Sequence, residues 1–178
     1  MGLLSFFKKP KYDKKVLALY NTIVRVSRTP ILYSKYGVAD TLIGRFDLIV
    51  LHCFVVIRRL NQHGDEGVLK SQELFDVMFI DIDRSLREIG VGDAGLGKKV
   101  KSLATAFYGR LGSYGEAIDS KDSKTLIESL KRNLFSETNP SDYQLSLAAN
   151  YLRNRVIESE KWSFADIDNL NIFQTRIE

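Results

Sequence analysis

The sequence predicts an all-α protein, a single domain of six or seven helices. Three observations carry that prediction. Apolar residues recur at helical spacing along most of the chain, sustained alternation of the kind a half-buried strand shows is absent, and short turns marked by Gly, Pro or Asn separate the periodic stretches. With 178 residues, 44% of them hydrophobic, the chain is long enough for one substantial core. Residues 1–12 read as a basic and apolar tail. A helical domain fills 13–178, and its end, from about residue 161, either wraps across the body or stays loose.

The tail sets Leu3, Leu4, Phe6 and Phe7 beside Lys8, Lys9 and Lys11. That pairing suits an anionic membrane surface, where each nearby lysine contributes about 1 kcal/mol. A loosely packed chain end is the plainer reading. Phe6 stands where an N-myristoylation pattern needs Ser or Thr.

A first helix from about Asp13 to Arg28 aligns Val16, Tyr20, Ile23 and Val24, and Thr29-Pro30 ends it, because the residue before proline avoids the helical region. After a short turn over 31–36 comes the central segment, 36–60. With Asp40 as its cap, Leu42, Phe46, Ile49, Val50, Cys53, Ile57 and Leu60 fall within about 100° of arc. Leu48, Leu51 and Val55 form a second apolar side, so this helix is expected to have neighbours on more than one flank. A buried strand over 48–57 is the competing reading; the stripe runs past both ends of that stretch, which favours helix.

Residues 63–67 read as a turn, and a helix from about Ser71 to Ile89 turns Phe75, Met78, Phe79, Ile82, Leu86 and Ile89 to one face. Residues 90–97 read as a glycine-rich loop. Helices follow over about 96–117 and 123–135, and Ser141 with Gln144 spells a capping box that opens another. Trp162, Phe164, Ile167 and Ile172 are the apolar residues of the final stretch.

Composition excludes several function classes. The net charge of +4, from 26 basic and 22 acidic residues dispersed along the chain, is too mild to argue for nucleic acid. One Cys rules out an internal disulfide, and with two His it cannot supply an ordinary zinc site. Without an apolar run of about 18 residues, the chain is expected to be soluble or at most peripheral. GDAGLGKK over 92–99 lacks the Ser or Thr that ends a P-loop, and a periodic helix rather than a strand precedes it.

Asp76, Asp81 and Asp83 do not converge on one helix face, so a partner-facing or solvated surface with Arg84 and Arg87 is the better reading. Val77 and Ile80 lie among those charges, either as an apolar contact for a partner or against another helix of the same domain. His52, with Arg45 and Arg59, reads as a hydrogen-bonded core histidine or as the edge of an anion or haem site.

The blocks YGxxDTxxGRFDxxxLH at 36–52, LFDxxFxDxDRSLREIGVGDxxxGKxV at 74–100 and FYGR at 107–110 resemble the ubiquinol-cytochrome c chaperone family. The resemblance implies an all-α, non-enzymatic assembly factor without a cofactor. It implies binding to newly made cytochrome b for assembly of ubiquinol-cytochrome c reductase. The absence of an Arg- and Ser-rich leader makes the chain similar to bacterial members, with a cytoplasmic place at the inner membrane. The residues expected at the partner surface are Asp76, Val77, Ile80, Asp83, Arg84 and Arg87, with Arg45 and His52. The alternative is a helical carrier that holds haem or a lipid in an interhelical pocket read by His52 and Arg45.

Overall fold

The computed structural model describes residues 13–177, and folds them into eight helices with no strand among the described residues. The expected membrane-facing residues Leu3, Leu4, Phe6, Phe7, Lys8, Lys9 and Lys11 lie outside that range. In chain order the helices are α1 (Lys14–Ser27), α2 (Ile31–Ser34), α3 (Leu42–Leu60), α4 (Gly64–Glu88), α5 (Asp93–Asp119), α6 (Ser123–Asn133), α7 (Asp142–Ser159) and α8 (Phe164–Asp168). Six are long; α2 and α8 are single turns of four and five residues.

α3 is the axis of the fold. It packs against α1, α4, α5 and α7, and its buried residues lie on every side, from Leu48 and Val50 to Cys53, Val55, Val56 and Leu60. The second apolar side seen in the sequence is what allows this, and the strand reading of 48–57 falls with it. The cap is Thr41, whose hydroxyl accepts the Gly44 N–H at 3.1 Å. Asp40 instead pairs with Arg45 at 2.6 Å. Gly44 is required where it stands, since a Cβ there would lie 2.0 Å from the Ala39 carbonyl oxygen.

The expected turn at 63–67 is mostly helix. A 3-10 turn over Asn61–His63 leads into Gly64, the first residue of α4, whose φ of 70° redirects the chain. Gly67 lies inside α4, where the α3 end passes so close that a Cβ would meet the Leu60 carbonyl oxygen at 1.9 Å. The glycine-rich stretch likewise shrinks: α5 starts at Asp93, so Gly95 and Gly97 are helical, and Gly90 at φ 87° is the residue that turns the chain. The capping box at Ser141 and Gln144 forms as the sequence predicts.

The end of the chain wraps rather than trails. Trp162, Ile167 and Ile172 are buried, and Asp168 on α8 accepts from Lys15 of α1 at 2.8 Å and from Lys70 of α4. Burial pushes the Asp168 carboxyl up, but the two lysines outweigh it and hold it below the usual carboxylate range.

Two glycine substitutions separate close approach from mere helix propensity. Gly67→Ala is expected to lower stability by about 1–3 kcal/mol through overpacking. Gly112→Ala, in open space on α5, is expected to raise it by roughly 0.5–1 kcal/mol. Urea midpoints of the two variants check both signs.

Candidate functional site

The outer side of α4 carries most of the residues expected at a partner surface. Ile80 is 49% exposed, whereas Val77 is buried and packs into the core, so of the two apolar residues only Ile80 is presented outward. Around it the charges are already organised. Asp76 accepts from the Gln72 amide at 3.0 Å, Arg87 bridges Asp83 at 2.9 Å and Asp93 at 2.8 Å, and Arg84 pairs with Asp81. Asp76, Ile80 and Asp83, with Phe79 and Val100, line a shallow hollow of about 380 Å³ between α4 and α5. Beside it Tyr108 is exposed, and its ring stands 5.1 Å from that of Phe75.

On the other side of α4 lies a groove of about 390 Å³, bounded by α1, the start of α3 and the second half of α4. Its floor is Phe46, Ile49, Met78, Ile82 and Leu86, and Arg28 and Arg45 stand at its rim. Arg45 is therefore at a surface opening, well separated in environment from His52.

His52 is fully buried on α3. Nδ1 lies 2.8 Å from the Leu48 carbonyl oxygen and 2.9 Å from Ser27 Oγ, and Nε2 lies 2.6 Å from the Tyr151 hydroxyl. A carbonyl oxygen only accepts, so Nδ1 carries the proton and Nε2 accepts from Tyr151. Burial lowers the His52 pKa to about 4, which keeps the ring neutral. Phe173, from the wrapped end of the chain, closes over the ring at 5.5 Å. Both nitrogens are thus committed, and His52 acts from the core as a support rather than at a contact surface.

A second buried polar centre escaped the sequence reading. Asp47, fully buried on α3, faces Arg110 of α5 at 2.8 Å, charge to charge rather than along an N–H axis. Burial raises the Asp47 pKa to about 7 against the opposing pull of Arg110. Arg110 also covers the Phe46 ring at 5.5 Å. Asp47 and Arg110 sit in two different blocks of the sequence pattern, and nothing in a lone sequence links them. Arg155 is likewise buried, bound to Glu158 at 2.5 Å and to the Thr175 carbonyl at 2.7 Å. Among the described residues, no three His, Cys, Asp or Glu side chains gather in a way that would hold a metal ion. The 92–99 run forms the cap and first turns of α5, with a helix before it, so its backbone does not make a phosphate-cradling loop.

Comparison with known proteins places these features in context. A family model described as ubiquinol-cytochrome C chaperone matches residues 34–176. Ubiquinol-cytochrome-c reductase complex assembly factor 1 of Xenopus laevis is 27% identical over 158 residues, 88% of this chain and 78% of the relative. The Mus musculus and Homo sapiens proteins of the same description are 26% and 25% identical, and this chain spans about half of their length, 53% and 52%. The crystal structure of the Cbp3 homolog from Brucella abortus superposes with a TM-score of 0.80 at 31% identity, covering 92% of this chain and 90% of that one.

The neutral, enclosed state of His52 predicts a pH signature. His52→Asn is expected to cost about 1–3 kcal/mol near neutral pH by leaving buried partners unpaired. In the unfolded chain the imidazole takes up a proton near its ordinary value of 6.5, but in the folded protein only near 4. The wild type therefore loses stability as pH falls from about 6.5 to 4, while the variant has no imidazole to titrate. The stability gap between the two is expected to narrow over that window in paired denaturation curves.

Proposed function

The chain belongs to the ubiquinol-cytochrome C chaperone family, and from that membership we propose that it serves assembly of ubiquinol-cytochrome c reductase by holding newly made cytochrome b. The observation that carries the reading is the family match across residues 34–176, which takes in every long helix but α1. The chain's own chemistry agrees with holding rather than transforming. The buried Asp47 and His52 face Arg110 and Tyr151 inside the core, and Arg84 and Arg87 of α4 are paired with Asp81 and Asp83 near an exposed Ile80. With Phe79 and Val100 beside Ile80 in the hollow between α4 and α5, that side offers a partner apolar contact next to charges. In this reading Asp76, Ile80, Asp83, Arg84 and Arg87 meet the partner, Arg45 serves the neighbouring groove, and Val77 and His52 hold the surface in place from within.

The carrier reading loses its polar anchor, because His52 faces no cavity and both its ring nitrogens are engaged. No helix among the described residues is long and apolar enough to cross a membrane. We place the protein at the cytoplasmic face of the inner membrane, with Leu3, Leu4, Phe6 and Phe7 seated in the surface and Lys8, Lys9 and Lys11 on anionic headgroups.

Deleting the gene is expected to deplete cytochrome b and assembled reductase, read from haem spectra and native gels; unchanged levels defeat the proposal. A photo-crosslinking residue at position 80 is expected to capture cytochrome b in cells. Removing residues 1–11 is expected to weaken sedimentation with phosphatidylglycerol vesicles while leaving the melting temperature nearly unchanged. Equal sedimentation of both forms dismisses the membrane contact.

A further inference from the structure

The rim of the groove between α1, α3 and α4 is unevenly paired. Arg45 is taken up by Asp40 at 2.6 Å. On the opposite wall Asp81 accepts the Tyr20 hydroxyl at 2.9 Å and pairs with Arg84, which also stands 3.9 Å from Glu88. Arg28, exposed at the end of α1, has no carboxylate within ion-pair distance among the described residues. The Ser85 hydroxyl, half-buried on the α4 wall, likewise has no hydrogen-bond partner among the described residues. Two free donors thus overlook an apolar floor on which Ile49 and Ile82 are half-open to solvent.

We propose that this groove receives an apolar segment of a partner polypeptide that brings a carboxylate to Arg28 and a backbone carbonyl to Ser85. The proposal rests on the reading that this protein holds another polypeptide, and it names the chemistry of the segment held. The charge of the occupant follows from the rim. Asp40 and Asp81 are each held by an arginine, Arg45 and Arg84, and Glu88 stands 3.9 Å from Arg84, which leaves Arg28 as the rim charge without an ion-pair partner. A carboxylate meets the one unpaired cation. Ser85 separates a peptide from an acyl chain, because a hydrocarbon gives its hydroxyl nothing to donate to. An apolar helix or extended segment with an acidic residue at one end satisfies the floor, Arg28 and Ser85 together.

The probe is a fluorescein-labelled synthetic helix with leucines at i, i+3, i+4 and i+7 and one terminal glutamate, beside a twin bearing lysine there. Anisotropy with the full chain is expected to show the glutamate peptide binding about tenfold more tightly than its twin. Arg28→Glu, at an exposed position that the fold does not need, is expected to reverse that preference. Ile82→Glu is expected to weaken both peptides by at least about tenfold. Equal binding of the twins, or a preference that survives Arg28→Glu, overturns the proposal. So does palmitate that displaces the peptide and is itself lost on Ile82→Glu, since the groove is then a lipid site. In cells, a deletion strain that lacks reductase but is rescued by folded Ile82→Glu protein overturns the groove and leaves the proposed function standing. A deletion that leaves reductase intact defeats the proposed function, and the peptide titration then decides the groove alone.

Discussion

Thirteen of the 19 residues of α3 are buried, and a helix that is apolar around most of its circumference has to be enclosed by other helices. That constraint sets the architecture. α1, α4, α5 and α7 form the enclosure, and the wrapped end of the chain seals the remaining side. Two polar side chains go into the core with α3, and each fixes a neighbour. Asp47 needs a cation and finds Arg110 on α5; His52 needs an acceptor and a donor and finds Leu48 within α3 and Tyr151 on α7. An apolar seam alone would let the surrounding helices slide, whereas these contacts are met in only one register.

The same enclosure decides what is left for the outside. With His52, Cys53 and Asp47 enclosed in the core, what α4 turns to the outside is paired charges, the exposed Ile80 and one wall of a groove. Val77 and Ile80 are three residues apart on α4, yet one is buried in the core and the other faces solvent.

The helices were legible because their apolar spacing is strong, and the Ser141–Gln144 cap because its two reciprocal bonds are local. The glycines misled. A glycine reads as a turn, but Gly67 stands inside α4 because the Leu60 carbonyl oxygen would lie 1.9 Å from the Cβ it lacks. Sequence does not distinguish a residue chosen for its dihedral angle from one chosen for its size. Asp40 and Thr41 are adjacent and both suited to cap α3, and the choice between them turns on Arg45 drawing Asp40 away. The Asp47–Arg110 contact and the unpaired state of Arg28 belong to the tertiary structure alone, since each depends on which distant residues come near.

The order of synthesis gives the wrapped end of the chain a further meaning. Phe173 lies on His52, Trp162 packs on Phe173, and Asp168 ties α8 to Lys15 and Lys70, so a stretch made after every long helix completes the core around α3. At about 5–20 residues per second, on the order of ten seconds separate the appearance of α3 from that of Phe173. Throughout that interval the most apolar helix of the molecule lacks its full cover. The axis of the fold is thus made well before the stretch that closes its last open side, and its exposure in the interval is set by the spacing of the two along the chain.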